Sequence, residues 1–306
     1  MLRRYRSAGD LFLELFGEKT YKLSLTCGNT CPNRDGTKGT GGCIFCGEAG
    51  SGEFSVPCTD ASDIGTAIER AKALVSSKTK AGRFIAYFQG FTATYMPADK
   101  LEPLLSAAAD RGDISAISVA TRPDCLPDDI VDVLRRTAER KPLFVELGLQ
   151  TARDDTAKLI NRGYPLSVYD DAAGRLREAG ANVITHMILG LPGEGKEDGM
   201  RTAEHIGKTA NGIKIQSLFI LAGTKLADMY EKGEYRPLSK EDYIDMLCEC
   251  VEILPPDTVI HRITGDPPKK LMLAPEWAAD KKRVLADIDK AFTARDVRQG
   301  AKADKI

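Results

Sequence analysis

Seven short apolar segments of this chain alternate with segments that have the periodicity of amphipathic helices. The apolar segments, predicted as strands, cover 21–26, 83–89, 114–121, 143–150, 183–190, 213–221 and 259–263, and the predicted helices cover 60–77, 98–110, 127–140, 153–160 with 166–179, 197–210 and 239–253. Strands that are apolar on both faces and separated by helices are typical of a parallel sheet covered by helices. The even alternation predicts an α/β fold, and it favours a (β/α) barrel, complete or partial, over two domains.

Such a barrel leaves a flanking region at each end of the chain. We expect an N-terminal segment at 1–19, the barrel at 20–266 and a C-terminal extension at 267–306. The extension contains one predicted helix near 276–292, which we expect to pack outside the barrel or to cap one end. The active site of a (β/α) barrel lies at the carboxyl ends of its strands, so residues that follow a strand are the first candidates for chemistry.

The charge balance excludes a basic surface that covers the whole protein. The chain has 306 residues, with 43 Lys and Arg against 44 Asp and Glu and a net charge of −1. A nucleic-acid partner would therefore need a local basic patch. No apolar run reaches the roughly 20 residues that span a bilayer. The basic residues 1–6 precede an apolar run that is too short for a signal peptide, so we expect a cytoplasmic protein with no membrane partner.

Three cysteines lie in a glycine-rich loop directly after the first predicted strand. Cys31 is followed by Cys43 and Cys46, and four of the eleven residues between Cys31 and Cys43 are glycine. Eight cysteines in a chain of this length do not form a disulfide framework, and a Cys-x-x-Cys pair near another cysteine indicates metal binding. Three thiolates bind three corners of a cubane iron–sulfur cluster and leave the fourth iron open for chemistry.

Spacing alone leaves other interpretations of this loop open. Cys27 precedes Cys31, so a Cys-x3-Cys-x11-Cys-x2-Cys set of four thiolates would suit a closed structural zinc site. In a second interpretation, Cys27 is a buried neighbour at the end of the first strand and does not bind metal. In a third, the loop cysteines are unrelated to one another. We interpret Cys58 and Cys125 as small, buried or half-buried side chains. Cys248 and Cys250 are two residues apart in a predicted helix, so they point to different sides and cannot chelate one metal together.

The fourth predicted strand carries polar residues on one face. Glu146, Gly148 and Gln150 are spaced two residues apart, so they point to the same side of the strand. Burying a polar group costs roughly 1–3 kcal/mol unless it has a partner. These residues predict a shelf for a ligand inside the barrel, and the alternative is a core glutamate paired with a buried Arg or Lys.

Other polar residues are predicted at the same rim. Gln89 and Thr92 lie where the second predicted strand ends. His186 lies in the fifth predicted strand, which ends in a turn that begins at Gly190. His261 and Arg262 begin a polar cluster, 261–266, at the end of the last predicted strand. A lone histidine in a strand is more often a core residue than a functional one. The chain lacks the glycine-rich fingerprints of dinucleotide-binding and P-loop proteins and the Gly-x-Ser-x-Gly elbow of hydrolases.

The cysteine loop resembles that of the YhcC/YtqA-type radical SAM proteins, relatives of the catalytic subunit of Elongator. The segments that carry the resemblance are Cys31-Pro32-Asn33-Arg34-Asp35-Gly36, Gly42-Cys43-Ile44-Phe45-Cys46, 146–151, Asn161-Arg162-Gly163, 190–194 and 261–266, and the match runs from about 20 to 290. The chain departs from the commonest radical SAM pattern twice. Arg34 stands where a Cys-x3-Cys-x2-Cys motif would place its third cysteine, and the usual Gly-Gly-Glu signature is replaced by 89–92.

This resemblance implies a partial (β/α)6 barrel of the TIM type with a C-terminal helical extension. It implies a [4Fe–4S] cluster on Cys31, Cys43 and Cys46, with Cys27 outside the ligand set. S-adenosylmethionine would bind the open iron and be cleaved reductively to a 5′-deoxyadenosyl radical. An electron donor of the flavodoxin or ferredoxin type would be a partner.

The resemblance also suggests which residues contact the cofactor and the substrate, and what the substrate is. The predicted cofactor contacts are Gln89, Thr92, Glu146, Gln150 and Gly190, and the predicted substrate contacts are His186, Gln216, His261 and Arg262. No residue is assigned as a general acid or base. Kinship with Elongator implies the wobble uridine of transfer RNA, with a carboxymethylaminomethyl side chain converted to aminomethyl. The alternatives are a small-molecule or protein substrate, or a non-enzymatic zinc or iron–sulfur module.

Overall fold

All strands of the main sheet run parallel. The computed structural model describes residues 4–48, 50, 52, 54–77 and 79–303, so the first three residues of the basic N-terminus and the last three of the extension lie outside the described residues. The main-sheet strands are β1 (Thr20–Thr26), β2 (Val56–Pro57), β3 (Arg83–Phe88), β4 (Ile114–Thr121), β5 (Leu143–Gln150), β6 (Asn182–Leu189), β7 (Gly212–Ser217) and β9 (Val259–Arg262). Their order is β2-β1-β3-β4-β5-β6-β7-β9, and β2 does not pair with β9. The sheet is therefore an open, partial barrel, as predicted.

Helices connect these strands and cover the outer face of the sheet. They are α1 (Ala8–Phe16), α2 (Ile64–Val75), α3 (Ala98–Ala109), α4 (Asp128–Arg140), α5 (Asp154–Leu159), α6 (Leu166–Glu178), α7 (Lys196–Thr209), α8 (Lys225–Glu231), α9 (Lys240–Ile253) and α10 (Lys281–Ala294). Side-chain caps start several of them, as where Ser7 and Asp10 form a capping box on α1. Within the described part of the chain, no helix is long and apolar enough to cross a membrane.

The two faces of each strand have different environments. On β5, Leu143, Val145, Leu147 and Leu149 point outward and are buried against the helices. The alternate residues, beginning with Phe144, point into the barrel. Phe144 packs with Ile85, Ala116 and Ile184 against Phe12 of α1, and these side chains form the floor of the barrel. The lumen above this floor opens at the carboxyl ends of the strands, where the cysteine loop lies.

Several element boundaries differ from the prediction. The predicted strand at 213–221 is divided into β7 and the short β8 (Ile220–Leu221), which pairs antiparallel with β10 (Met272–Ala274). The strands β2 and β10 and the helices α1 and α8 were not predicted. The last strand, predicted at 259–263, is β9 and contains His261 and Arg262, so of the polar cluster at 261–266 only the part from residue 263 follows it.

The C-terminal extension packs on the outside of the barrel, as expected. Its helix α10 buries Val284, Ile288 and Phe292 in the main core. Before it, Trp277 lies with its ring centroid 5.4 Å from that of Tyr243 on α9. The division of the chain at 1–19, 20–266 and 267–306 stays a prediction.

Candidate active site at the carboxyl ends of the strands

The loop that carries the three cysteines is folded around Arg34. The guanidinium of Arg34 donates to the carbonyl oxygens of Cys46 at 2.7 Å and Gly47 at 2.6 Å. Gly42 passes so close that a Cβ there would lie 2.9 Å from Arg34 Nε, and its φ of +74° also favours glycine. Arg34 therefore joins the start of the loop to the Cys43–Cys46 turn, so the arginine that replaces a third cysteine is structural.

The Asn161-Arg162-Gly163 segment holds this loop against the barrel. The buried Asn33 side chain donates to the carbonyl of Asn161 at 2.5 Å, and the Asn161 side chain donates to that of Gly42 at 2.7 Å. The Ile44 amide donates to the Ile160 carbonyl at 3.1 Å. Two motifs that are far apart in the sequence are thus one structural unit.

The four cysteines near β1 separate into two environments. Burial raises the pKa of Cys43 to about 12, with the neighbouring Cys46 and Cys31 thiols adding to the effect, so these three sulfurs lie near one another. Cys27 instead lies with Leu23 and other outward-facing residues in the helix-covered core, and its thiol neighbour is Cys58. A tetrahedral zinc site needs four ligands on one ion. Because Cys27 points away from the loop, the geometry favours the three-thiolate arrangement.

Among the described residues, no three His, Cys, Asp or Glu side chains converge as ligands of a single ion. A cubane cluster does not need such convergence, because each thiolate binds a different iron at a different corner. Three thiols in one loop that is held by Arg34 and Asn161 therefore fit a cluster better than a mononuclear metal.

Glu146 is the centre of a hydrogen-bonded group inside the barrel. Its side chain is fully buried, and Oε1 accepts from Lys22 at 2.5 Å. Oε2 accepts from Tyr87 at 2.7 Å, lies 2.7 Å from His186 Nε2 and pairs with Lys214. Burial alone would raise the pKa of Glu146. The charges of Lys214 and Lys22 instead hold this pKa well below its usual range. This geometry matches the alternative of a paired core glutamate, and a cofactor contact of Glu146 stays a prediction.

The group around Glu146 draws one polar side chain from each of seven strands. These are Lys22 (β1), Tyr87 (β3), Ser118 (β4), Glu146 (β5), His186 (β6), Lys214 (β7) and Arg262 (β9). Sequence analysis missed Lys22 and Lys214, although each is a lysine in an otherwise apolar strand. That pattern is the signal that would have found them, because a lysine in the middle of a buried strand requires a counter-ion.

Gln150 ends β5 in a strained conformation. Its φ is +64°, which is uncommon for any residue except glycine. The Thr151 amide donates to the Leu149 carbonyl at 2.8 Å, which closes a γ-turn around Gln150. Such turns persist only where the surroundings hold them, and they are concentrated at functional sites. Gln150 lies at the rim above Glu146, on the face that the strand period predicts.

The other predicted cofactor contacts lie near the rim. Gln89 donates to Ser55 at 3.1 Å, and the carbonyl of Gly190 accepts from Tyr235 at 2.7 Å. Thr92 is buried, and its hydroxyl has no hydrogen-bond partner among the described residues. A buried hydroxyl without a protein partner is suited to a ligand's polar group. This orphaned hydroxyl and the three-thiol loop fit a cluster with a bound polar cofactor.

The predicted substrate contacts do not all come together. His186 and Arg262 belong to the group around Glu146, and Gln216 lies one inward-facing position above Lys214. His261 lies at the floor, with ring centroids 6.0 Å from Phe12 and 6.3 Å from Phe144. It lines a separate cavity of about 440 Å³ at the amino ends of the strands. The structure therefore places His261 away from the rim where it was expected.

Comparison with known proteins assigns the family. A profile of the Radical SAM superfamily matches residues 26–206, and a profile of the Radical_SAM C-terminal domain matches 210–294. The chain belongs to the radical SAM superfamily. It is a radical SAM enzyme, and the family uses a [4Fe–4S] cluster and S-adenosylmethionine.

Relatives of this radical SAM enzyme match over nearly its whole length. It is 44% identical to YtqA of Bacillus subtilis over 97% of this chain and 92% of that protein, and 34% identical to YhcC of Escherichia coli over 96% and 93%. Elongator complex protein 3 of Mus musculus is 28% identical over 51% of this chain and 29% of its own length. In structure, the chain is similar to the archaeal Elp3 of Methanocaldococcus infernus, with a TM-score of 0.68, 18% identity and coverage of 92% of this chain and 64% of that one.

Proposed function

We propose that Cys31, Cys43 and Cys46 hold the [4Fe–4S] cluster and that S-adenosylmethionine binds beside it at the rim of the barrel. The observation that carries this assignment is the separation of the cysteines, since three lie together in a loop held by Arg34 and Asn161 while Cys27 is turned into the core. The chemistry that the two cofactors supply when bound is the reductive cleavage of S-adenosylmethionine to methionine and a 5′-deoxyadenosyl radical, which removes a hydrogen atom from the substrate.

The residues of this chain position the cofactors and shield them. Thr92 offers its orphaned hydroxyl and Gln150 its side chain at the rim. At Gly190 the backbone has a φ of +89° and a Cβ would lie 3.0 Å from Leu238, so glycine is required for the turn there. The γ-turn at Gln150 holds the direction of that side chain before a ligand arrives, which reduces the ordering that binding requires. The floor of Phe12 and Phe144 closes the other end of the lumen.

For the substrate, we propose the wobble uridine of transfer RNA, with a carboxymethylaminomethyl side chain converted to aminomethyl. Loss of a hydrogen atom from the methylene beside the carboxylate and of one further electron would give an imine, which water would hydrolyse to the aminomethyl group and glyoxylate. S-adenosylmethionine would be the oxidant, since its cleavage to methionine and 5′-deoxyadenosine takes up two electrons. The support is the sequence similarity to Elongator complex protein 3, 28% identity over 161 residues. A one-electron donor is required by the family's chemistry, and we propose one of the flavodoxin or ferredoxin type.

The experiment that tests this function is anaerobic turnover. The reconstituted protein is reduced with dithionite and given S-adenosylmethionine, with and without transfer RNA that carries carboxymethylaminomethyluridine. We expect 5′-deoxyadenosine and methionine in both reactions, more of both with this RNA, and aminomethyluridine in the recovered RNA. The control is the Cys43→Ala variant, which we expect to form no 5′-deoxyadenosine, no methionine and no aminomethyluridine.

The two halves of the proposal fail separately in this experiment. A protein that holds only zinc after reconstitution contradicts the cluster assignment. A protein that forms 5′-deoxyadenosine but leaves the uridine unchanged keeps the cluster assignment and contradicts the transfer RNA substrate.

A further inference from the structure

The lumen of the barrel holds more positive than negative charge at the level of Glu146. Lys22 and Lys214 both pair with the one carboxylate of Glu146. Arg262 is half-buried beside them, near Tyr87 and His186, and within the described residues its guanidinium forms no hydrogen bond or ion pair. Cations that are removed from bulk water are normally paired with an anion. The lumen beside Glu146 therefore has fewer negative charges than its cations require.

These cations face the open part of the lumen. The side chains of Lys22 and His186 are 20% and 22% exposed, whereas Leu23 and Met187, which point outward from the same strands, are fully buried. Neither Lys22 nor His186 lines the cavity at the amino ends of the strands, which Phe144 and His261 separate from them. Their exposed surface therefore faces the upper lumen, below the rim.

The neighbouring titrations agree with a shortage of negative charge. Burial lowers the pKa of Lys214 to about 7, and the charges of Lys22 and Arg262 add to this effect against the attraction of Glu146. Burial and the charge of Lys214 lower the pKa of His186 to about 4, and Arg262 contributes in the same direction. An anion bound here would relieve these unfavourable interactions.

We propose that Arg262, Lys214 and Lys22 recognise a terminal carboxylate on the substrate. The planar guanidinium of Arg262 suits the two oxygens of a carboxylate, and the lysines add charge at the bottom of the same lumen. A terminal group suits this position, because the floor of Phe12 and Phe144 lies directly below it and blocks a chain from continuing past the cations. The proposal rests on the proposed function to the extent that a carboxymethylaminomethyl side chain ends in such a carboxylate.

The test is a binding measurement that needs no turnover. The protein with its cluster and S-adenosylmethionine, without reductant, is titrated calorimetrically with 5-carboxymethylaminomethyluridine, with the methyl ester of that nucleoside, and with uridine 5′-monophosphate. We expect the carboxylate to bind between about tenfold and a hundredfold more tightly than the ester, as for hydrogen bonds between charged groups. Arg262→Gln should remove this preference and Arg262→Lys should keep most of it, while Arg283→Gln on the exposed face of α10 should change nothing.

Other results of these titrations overturn the assignment. Equal affinity for the carboxylate and the ester, absence of binding, or a preference that survives in Arg262→Gln shows that these cations do not read a carboxylate. Tight binding of the monophosphate that is lost in Arg262→Gln assigns the cations to a phosphate instead. Carboxylate-selective binding without conversion of the transfer RNA contradicts the proposed function but leaves this site in place.

Discussion

The guanidinium of Arg162 donates to the carbonyl oxygens on both sides of Gln150. Nη1 of Arg162 lies 2.7 Å from the oxygen of Leu149 and 2.6 Å from that of Thr151, and Nε lies 3.0 Å from the oxygen of Tyr164. The Arg162 side chain is fully buried, so these carbonyls have no water to replace it. Because Asn161 holds the cysteine loop, adjacent residues of one motif organise both the thiols and the turn at Gln150.

Replacing Arg162 with lysine should therefore destabilise the fold. A lysine ammonium cannot reach three carbonyls in the plane that the guanidinium occupies, and each buried acceptor left unpaired costs about 1–3 kcal/mol. We expect the free energy of unfolding, measured by urea denaturation, to fall by about 2–4 kcal/mol. Arg153→Lys is the matched control, since Arg153 is 39% exposed and pairs with Asp198. A control that loses as much as Arg162→Lys would show that the buried carbonyls are not the cause.

Gln150 offers a test of backbone strain that is separate from side-chain function. At a φ of +64°, glycine has no Cβ penalty, whereas alanine keeps it. We expect Gln150→Gly to be more stable than Gln150→Ala by about 1 kcal/mol in thermal or urea unfolding. Both variants lack the side chain, so both should bind S-adenosylmethionine more weakly than the wild type. The strain assignment fails if the alanine variant is the more stable of the two.

Cys27 and Cys43 should differ in their effect on iron content. We expect Cys43→Ala to lose the iron of the reconstituted protein and its absorbance near 400 nm, because a thiolate in the loop is removed. Cys27→Ala should keep about four iron per chain, as expected for a cubane on three other thiolates. Its cost should appear only in stability, since Cys27 lies in the apolar core. Loss of iron from both variants would favour a site of four thiolates that includes Cys27, the arrangement expected for structural zinc.

Loss of the negative charge of Glu146 should cost more stability than loss of the positive charge of Lys214. Glu146→Gln leaves Lys22 and Lys214 without their carboxylate, and breaking a buried pair in this way costs about 3–5 kcal/mol. Lys214→Met should cost less, because Glu146 keeps Lys22, Tyr87 and His186 as partners. The double variant Glu146→Gln/Lys214→Met should recover part of the loss, and the difference from additivity measures the coupling. Additive losses in urea denaturation would show that the two side chains act independently.

Local patterns in the sequence were sufficient for the parts of this structure that depend on short-range periodicity. The period of two in β5 placed Glu146, Gly148 and Gln150 on one inward face, and the glycine-rich spacing placed the three cysteines in one loop. The depth of His261 in the barrel was less accessible, because a polar pair at the end of a short apolar run does not show which of its members lies at the rim. His261 was therefore expected at the rim and lies at the floor.

Contacts between distant segments were not predictable in the same way. Arg162 follows the short helix α5 and resembles any surface arginine in the sequence, and its burial is evident only once the chain folds back on β5. Lys22 and Lys214 are separated from Glu146 by 124 and 68 residues, so their shared carboxylate depends on the curvature of the whole sheet. Sequence patterns located the candidate site, whereas its network of charges required the tertiary structure.

His186 should make the stability of the protein fall in mild acid. Its pKa is lowered to about 4, first by burial and then by the charge of Lys214, whereas an unfolded histidine titrates near about 6.5. Above about pH 7.5 the imidazole is nearly all neutral in both states and contributes almost no pH dependence. As the pH falls from there to about 4, the unfolded chain takes up a proton that the folded protein does not, which lowers the free energy of unfolding.

The measurement is the difference in unfolding free energy between the wild type and His186→Gln from pH 8 to pH 4. Between pH 7 and pH 4, we expect the wild type to lose stability relative to the variant by as much as about 3 kcal/mol, since each pKa unit corresponds to about 1.4 kcal/mol. Between pH 7 and pH 8 the difference should change by less than about 0.2 kcal/mol, because little of the unfolded imidazole is still protonated there. Burial also lowers the pKa of His261, so the variant should keep part of the acid sensitivity. A difference that does not change with pH would mean that His186 is protonated equally in both states, in contradiction to its burial beside Lys214.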